Sequence, residues 1–275
     1  MNALILLLLC LVSAFFGMMS VELYPFVRDI EAVNDCKDCM DRDGCAARKT
    51  IFKDSDLISE FMLVAYLLVR KKCSYADKSH LQSFVKIIIS YIILVGVLIW
   101  SRGLDMTCII YSVATIMLLS LSVVDWNTQY IPVEYTGVIF VCGLIRLFAD
   151  ISNWWEYVIG LIAVSGFLYI VNKVGTPVIR KIHNDNNIDS VMGDGDIKLM
   201  AATGLLIGWK LNFLALGMGC IIGSIIHLIL MKIKGSDRDL AFGPYLSLGV
   251  YITMICGEQL VSWYLNMIGY NPYIQ

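Results

Sequence analysis

Eight long apolar segments constrain this 275-residue chain more than any other feature of its sequence. A transmembrane helix needs about 20 apolar residues, with about 17 near the lower limit. The sequence therefore predicts an all-α, polytopic membrane protein with about eight transmembrane helices, of which the fourth and sixth are short. The segments cover residues 3–23, 82–100, 106–124, 134–149, 155–172, 197–209, 212–231 and 243–266.

Composition supports the membrane class and argues against nucleic-acid binding. The chain is 58% hydrophobic and only 16% charged, whereas soluble domains carry about 25% charged residues. Its formal net charge of -2 gives no electrostatic reason to bind nucleic acid. The lipid bilayer is therefore the first partner that the sequence predicts.

The distribution of Lys and Arg predicts the orientation in the membrane. If the N-terminus lies outside, most of the 21 Lys and Arg fall in cytoplasmic loops, and only Arg102, Arg146 and Lys210 lie outside. Cytoplasmic loops of membrane proteins carry an excess of basic residues. The pattern therefore predicts an outside N-terminus and a multi-pass protein of the plasma membrane.

The chain divides into two predicted regions. Residues 1–80 contain the first membrane helix and a cytoplasmic loop with cysteines, and residues 81–275 contain the remaining spans. Within the first region, residues 57–69 have the length of a surface helix and include Glu60. We place this stretch on the cytoplasmic surface.

Four cysteines share the first cytoplasmic loop. They are Cys36, Cys39, Cys45 and Cys73, and the first two form a CxxC pair. In a reducing compartment this spacing more often indicates a metal than a disulfide, because a tight turn lets two thiolates reach one zinc ion. The loop lacks a second CxxC, so the residues leave two alternatives open, a zinc site or four free thiols.

Two acidic residues lie where predicted spans meet the cytoplasm. Asp125 ends the third span in "VVDWNTQYIP", and Asp196 begins the sixth in "GDGDIKL". An ionised Asp at membrane depth costs about 3 kcal/mol on insertion scales, so it suggests a functional site. An Asp in the first turn of a helix can also be an ordinary cap. The topology nevertheless predicts that both acids reach the same membrane face.

Three motifs carry a resemblance to a known family. "VVDWNTQYIP", "GDGDIKL" followed by "GLLIGW", and "LAFGPYLSLG" at 240–249 resemble the successive signatures of bacterial type IV prepilin peptidases, which are GxGD membrane aspartic proteases. The resemblance implies an eight-helix fold and removal of the basic leader from prepilins or pseudopilins at the cytoplasmic face. It also implies that Asp125 and Asp196 are the catalytic pair.

The resemblance has further implications for the N-terminal region. Many members of the family bind zinc through two CxxC pairs and methylate the new N-terminus from S-adenosylmethionine. This chain has one CxxC pair, and Glu60 occupies a position similar to a glutamate of the family. Zinc and S-adenosylmethionine are therefore the cofactors to consider.

The chemistry of an acid pair requires one ionised and one protonated carboxyl group. Two neighbouring carboxylates achieve this because their mutual repulsion makes them share a proton. Asp125 is expected at a helix C-terminus and Asp196 at a helix N-terminus, where a negative charge is favoured. From the helix ends alone, Asp196 is expected to be the ionised base and Asp125 the protonated acid.

Several neighbouring residues are candidates for supporting roles. Gly193 and Gly195 allow a sharp turn or a close approach of the backbone, and Pro132 is expected to mark the start of the fourth span. Glycine and proline also commonly mark the ends of helices, and this ordinary role explains the three residues equally well. Lys198 is expected to point away from Asp196 and reach the headgroups. Asp194 is an alternative to Asp196 as the catalytic acid.

Two other functional classes remain open at this point. A transporter could use Asp125 and Asp196 to carry protons or cations, but transporters commonly place such acids near the bilayer midplane between internal repeats. No repeat is visible in the sequence. A catalytically silent scaffold that recruits pilin subunits is the third possibility, and loss of the leader from a prepilin would separate the three.

Overall fold

The structure is a computed structural model that describes residues 12, 15–17, 81–183, 190, 192–234 and 241–267. These residues form helices and connections, and none of them lies in a β-strand. The helices are α1 (Leu81–Arg102), α2 (Met106–Thr128), α3 (Val133–Ala149), a short 3-10 helix (Ile151–Asn153), α4 (Trp154–His183), α5 (Asp194–Ile207), α6 (Trp209–Lys234) and α7 (Gly243–Met267).

The all-α membrane class is confirmed. Seven of the eight predicted apolar segments coincide with α1 to α7, while most of the segment at 3–23 lies outside the described residues. Among the described residues, four stretches are long and apolar enough to cross a membrane, namely Val85–Arg102, Met106–Trp126, Ile151–Ile182 and Trp209–Lys232. The total of eight spans and the outside N-terminus stay predictions.

Helix α4 is longer than the sequence predicted. The predicted apolar segment ends at residue 172, but residues 173–183 continue the helix through Pro177. Val174, Val178 and Ile182 are exposed at helical spacing, so an apolar stripe continues past the expected end. With 30 residues the helix is about 45 Å long, which exceeds the hydrocarbon thickness of about 30 Å.

Helix α5 is short because it is enclosed by protein. Its 14 residues span about 21 Å, and most side chains from Leu199 to Ile207 are buried. It packs mainly against α3 and α4. The helix ends at Gly208, whose φ of 81° lies in the left-handed region, and α6 starts at the next residue.

Glycines allow α4 and α5 to approach closely. A Cβ atom on Gly160 would collide with the carbonyl oxygen of Gly204, and the reverse holds for a Cβ on Gly204. Hydrogen bonds of polar side chains connect α5 to α6. The Thr203 hydroxyl donates to Asn212 Oδ1 at 3.0 Å, and Asn212 Nδ2 donates to the Met200 carbonyl at 2.8 Å. Small residues and buried hydrogen bonds are the usual contacts between membrane helices.

The two ends of the helix bundle differ in composition. At the acid end, α2 finishes with Asp125, α5 begins near Asp196 and α7 begins at Gly243. At the opposite end, which we call the tryptophan end, lie Trp100, Trp154, Trp155, Trp209 and Trp263. Tryptophan is enriched at membrane interfaces, so this end supplies one boundary of the bilayer.

Candidate active site

Asp125 lies in the last turn of α2 and is buried, with 4% of its surface exposed. The helix ends because Gln129 adopts a left-handed conformation and donates its N–H to the Asp125 carbonyl at 2.8 Å. Pro132 then forms the N-cap of α3 with an extended backbone. The short connection between α2 and α3 thus leaves the Asp125 side chain facing α7.

The N-terminus of α7 contacts this carboxylate directly. Gly243, the first residue of α7, donates its backbone N–H to Asp125 Oδ2 at 2.9 Å. A Cβ atom on Gly243 would lie 2.7 Å from Asp125 Oδ2, so glycine is required for this approach. A hydrogen bond to a carboxylate is about twice as strong as one between neutral groups, and the helix N-terminus adds a positive partial charge.

Asp196 lies in the first turn of α5 and is also buried, with 8% of its surface exposed. Its backbone N–H donates to the Gly193 carbonyl at 3.1 Å, and Gly193 is the N-cap of the helix. The side-chain atom Oδ1 is buried and has no hydrogen-bond partner among the residues that the structure describes. Among the described residues, Asp196 Oδ1 therefore has no counterpart to the Gly243 N–H that Asp125 accepts.

Asp125, in the last turn of α2, and Asp196, in the first turn of α5, both lie at the acid end of the bundle. Ile131 packs between the helices that carry the motifs. A Cβ atom on Gly195 would lie 2.7 Å from Ile131 Cβ, and one on Gly243 would lie 3.2 Å from Ile131 Cδ1. The three sequence motifs therefore meet at a single site.

The other predicted residues lie around this pair in different environments. Asp194 and Lys198 are exposed on α5, and the position of Lys198 at the headgroups stays a prediction. Gly193 is exposed, and a Cβ atom there would lie 3.3 Å from Asp196 Oδ2. Pro132 is buried and immediately precedes α3.

Sequence reasoning did not assign roles to Gly243 and Ile131. Both residues lie in motifs that the sequence offered, Ile131 in "VVDWNTQYIP" and Gly243 in the motif at 240–249. Two aromatic side chains near the acids were also missed. Trp126 follows Asp125 and is 55% exposed, and its ring meets the Tyr245 ring edge to face with centroids 6.4 Å apart. An exposed Trp next to a buried acid offers an apolar contact surface.

The predicted metal ligands cannot be placed. Cys36, Cys39, Cys45 and Cys73 lie outside the described residues, as does Glu60. Within the part of the chain that is described, no group of three or more His, Cys, Asp or Glu side chains could hold a metal ion. Zinc therefore stays an expectation from the sequence.

Comparison with known proteins gives a consistent result. The model of the type IV leader peptidase family matches residues 112–228, which contain Asp125 and Asp196. A prepilin leader peptidase/N-methyltransferase of Legionella pneumophila is 30% identical over 212 residues, covering 74% of this chain and 69% of the relative. The protein of the same name from Neisseria gonorrhoeae is 27% identical over 208 residues, covering 74% and 69%.

A third relative supports the same assignment. The prepilin leader peptidase/N-methyltransferase of Pseudomonas aeruginosa is 25% identical over 220 residues, covering 76% of this chain and 70% of the relative. No solved structure matches the chain. Since the Legionella relative is aligned over more than two thirds of its length, the chain belongs to the type IV leader peptidase family.

Proposed function

We propose that this protein is an aspartic endopeptidase that removes the basic leader from type IV prepilins or pseudopilins. The observation that carries the proposal is the meeting of Asp125 and Asp196, two buried carboxyl groups from separate helices, at one end of the bundle. The names of the relatives supply the substrate class. An acid pair is suited to peptide hydrolysis because its two members can hold a single proton between them.

We assign the ionised state to Asp125 and the proton to Asp196. The Gly243 N–H stabilises a negative charge on Asp125, whereas Asp196 Oδ1 is buried without a described partner, a setting that favours the neutral form. This reverses the expectation from the helix ends, because that argument considered each acid's own helix and omitted the N-terminus of α7. We infer that the α7 N–H stabilises the Asp125 anion more than the C-terminal end of α2 destabilises it.

The proposed reaction follows from this assignment. Asp125 accepts a proton from water, and the resulting hydroxide oxygen bonds to the scissile carbonyl carbon while Asp196 donates its proton to the carbonyl oxygen. Collapse of the tetrahedral intermediate breaks the C–N bond, and the proton on Asp125 passes to the leaving amine. The hydroxyl proton of the intermediate returns to Asp196, which restores the starting state.

We place the acid end at the cytoplasmic face of the bacterial inner membrane. In the described part of the chain, the basic residues at this end outnumber those at the tryptophan end, as the positive-inside rule requires of a cytoplasmic face. The acid end carries Lys86, Lys173, Arg180, Lys181, Lys198, Lys232 and Lys234, and the tryptophan end carries Arg102, Arg146 and Lys210.

Incubation of membranes containing this protein with a prepilin tests the function. Loss of the leader supports the peptidase, whereas an intact prepilin would favour a scaffold, and proton uptake by vesicles without cleavage would favour a transporter. N-methylation is a separable second activity that we propose from the relatives' names. Transfer of a labelled methyl group from S-adenosylmethionine to the cleaved product tests N-methylation.

Replacing Gly243 by alanine is expected to slow leader removal while the protein still folds. Without any shift, the added methyl carbon would lie 2.7 Å from Asp125 Oδ2. The methyl group would therefore displace the Asp125 carboxylate. Displacing a catalytic group by about 1 Å can cost about 100-fold in rate. The rate of cleavage in purified protein measures the effect. Gly137→Ala is the matched control because a Cβ atom there meets no other atom within 4 Å.

Infrared difference spectra are expected to locate the shared proton on Asp196. At neutral pH, a protonated carboxyl band should persist in Asp125→Asn and vanish in Asp196→Asn, because the remaining Asp125 keeps the Gly243 N–H. The spectra are needed because the pair titrates as a unit and kinetics cannot assign the proton. A band that survives in Asp196→Asn would contradict the assignment.

Metal analysis is expected to detect about one zinc per chain if the four loop cysteines bind a single ion tetrahedrally. The zinc content should fall in Cys36→Ser, while Cys108→Ser serves as a control because Cys108 is buried within α2. Since the carboxyl groups carry the proposed hydrolysis, Cys36→Ser should lower stability more than cleavage. Freshly purified protein without zinc would favour free thiols.

A further inference from the structure

Trp126 is an exposed aromatic residue directly next to a buried acid of the proposed catalytic pair. It follows Asp125 in α2 and has 55% of its surface exposed, whereas Asp125 has 4%. The other five of the chain's six tryptophans lie at the tryptophan end. The membrane boundary at that end therefore does not explain why a tryptophan lies beside Asp125.

Tyr245 of α7 supports the Trp126 ring. The two rings meet edge to face with centroids 6.4 Å apart, an arrangement that aromatic side chains prefer. Tyr245 is itself buried, with 3% of its surface exposed, and a Cβ atom on Gly223 of α6 would lie 3.4 Å from its ring. The exposed Trp126 ring therefore lies against a buried ring that is packed between helices.

Both aromatic residues are close in the chain to the two groups that form the Asp125 site. Trp126 is the residue after Asp125, and Tyr245 lies two residues after Gly243, whose N–H donates to Asp125 Oδ2 at 2.9 Å. Phe242, which precedes Gly243, is half-buried against the core. A peptide that reaches Asp125 therefore meets aromatic side chains of α2 and α7.

The part of the site that α5 contributes has a different chemistry. Two exposed residues near Asp196 are charged, namely Asp194 and Lys198. Apolar contact with a bound peptide is therefore concentrated on α2 and α7. In the proposed function the leader is basic, and charged groups lose free energy when they leave water. The apolar contact is thus expected from the residues that follow the scissile bond.

We infer that the Trp126 ring binds an apolar side chain of the substrate on the C-terminal side of the scissile bond. The inference rests on the proposed function and adds to it a residue that determines specificity. A side chain that covers the ring removes apolar surface from water, and a large rigid ring makes such contacts at a low cost in side-chain entropy. Tryptophan at a membrane interface can instead contact lipid headgroups, but the position of Trp126 beside Asp125 and its support by Tyr245 favour the peptide.

Cleavage kinetics of the full chain in detergent, with a series of prepilins, test this contact. Each prepilin carries serine in place of one apolar residue after the scissile bond. For the wild type, one such replacement should raise KM by about tenfold, because burial of a large apolar side chain contributes about that much to binding. The same replacement should change the KM of Trp126→Ala by less than about twofold, because effects of two residues in contact are not additive. Trp263→Ala is the matched control, since Trp263 is 62% exposed on α7 but lies at the tryptophan end, and it should respond to serine as the wild type does.

A binding measurement separates this contact from the proposed hydrolysis. Fluorescence anisotropy of a labelled prepilin peptide gives its Kd for Asp196→Asn, which is not expected to cleave it. Adding Trp126→Ala should raise this Kd by about tenfold, and Trp126→Phe should recover most of the lost affinity because it keeps an aromatic ring. If the peptide binds in this way but no prepilin is cleaved by the wild type, the proposed function fails and the contact stands.

Three results would overturn the inference. The first is an equal response of the wild type and Trp126→Ala to every serine replacement, together with an unchanged Kd. The second is a dependence on Trp126 that disappears when a basic residue of the leader is replaced, which would indicate a cation–π contact instead. The third is a loss of membrane insertion or stability in Trp126→Ala with an unchanged KM, which would show that the ring contacts lipid.

Discussion

Replacement of Asp125 or Asp196 by asparagine is expected to abolish leader removal while leaving the protein inserted in the membrane. Each substitution preserves the size of a buried side chain but removes one member of the acid pair. General acid–base catalysis contributes on the order of 10²- to 10⁴-fold for each group, so either loss should reduce cleavage at least to the lower limit of a gel assay. The double variant should be little worse than either single one, because both residues serve one reaction step.

Asp194→Asn is the matched control for this prediction. Asp194 lies in the same first turn of α5 but is exposed, so its variant should keep most of the activity. Cleavage is measured as the mobility shift of a prepilin in membranes, together with the amount of inserted enzyme. Near-normal processing by Asp125→Asn or Asp196→Asn would contradict the proposed pair, and loss of activity only in Asp194→Asn would transfer the role to that residue.

The helices could be predicted from the sequence because the bilayer fixes the length of apolar segments. Residues 82–100, 106–124 and 134–149 fall within α1, α2 and α3 with small differences at the ends. The extension of α4 was missed because polar and charged residues after position 172 end the apolar segment. A helix that leaves the bilayer needs no apolar composition, since water satisfies its polar side chains, and hydropathy therefore underestimates its length.

The acid pair could be predicted only in part. The sequence predicted that Asp125 and Asp196 lie at the same membrane face, because successive spans cross the membrane in opposite directions. It could not show that α7 reaches Asp125. The contact with Gly243 depends on the packing of residues 118 positions apart. Because this N–H stabilises a negative charge on Asp125, the roles that we propose for the two acids are the reverse of those expected from the sequence.

The close contact between α4 and α5 explains how a short helix can deliver Asp196. Helix α5 is too short to cross the bilayer and is surrounded mainly by α3 and α4. The close approach of the α4 and α5 backbones at Gly160 and Gly204 sets the position of α5. Because most of its residues are buried among other helices, α5 depends on these neighbours for its depth in the bundle.

Replacing Gly204 by valine is therefore expected to destabilise the protein and abolish leader removal together. The new side chain would collide with the Gly160 carbonyl and approach Asn212 Nδ2, which donates to the Met200 carbonyl. Neither backbone can yield without separating the helices. Overpacking of a buried site costs about 1 to 3 kcal/mol and occasionally more, and we expect the upper part of this range because backbone atoms are involved.

Thermal unfolding in detergent, followed by tryptophan fluorescence, measures the loss of stability in Gly204→Val. Gly217→Val is the matched control because it introduces the same β-branched side chain into α6, where a Cβ atom meets nothing within 4 Å. The control should unfold close to the wild-type temperature and cleave normally. If Gly204→Val behaved like the control, the close approach of α4 and α5 would be dispensable, and the depth of Asp196 would have to be set by the contacts of α5 with α3 and α6 instead.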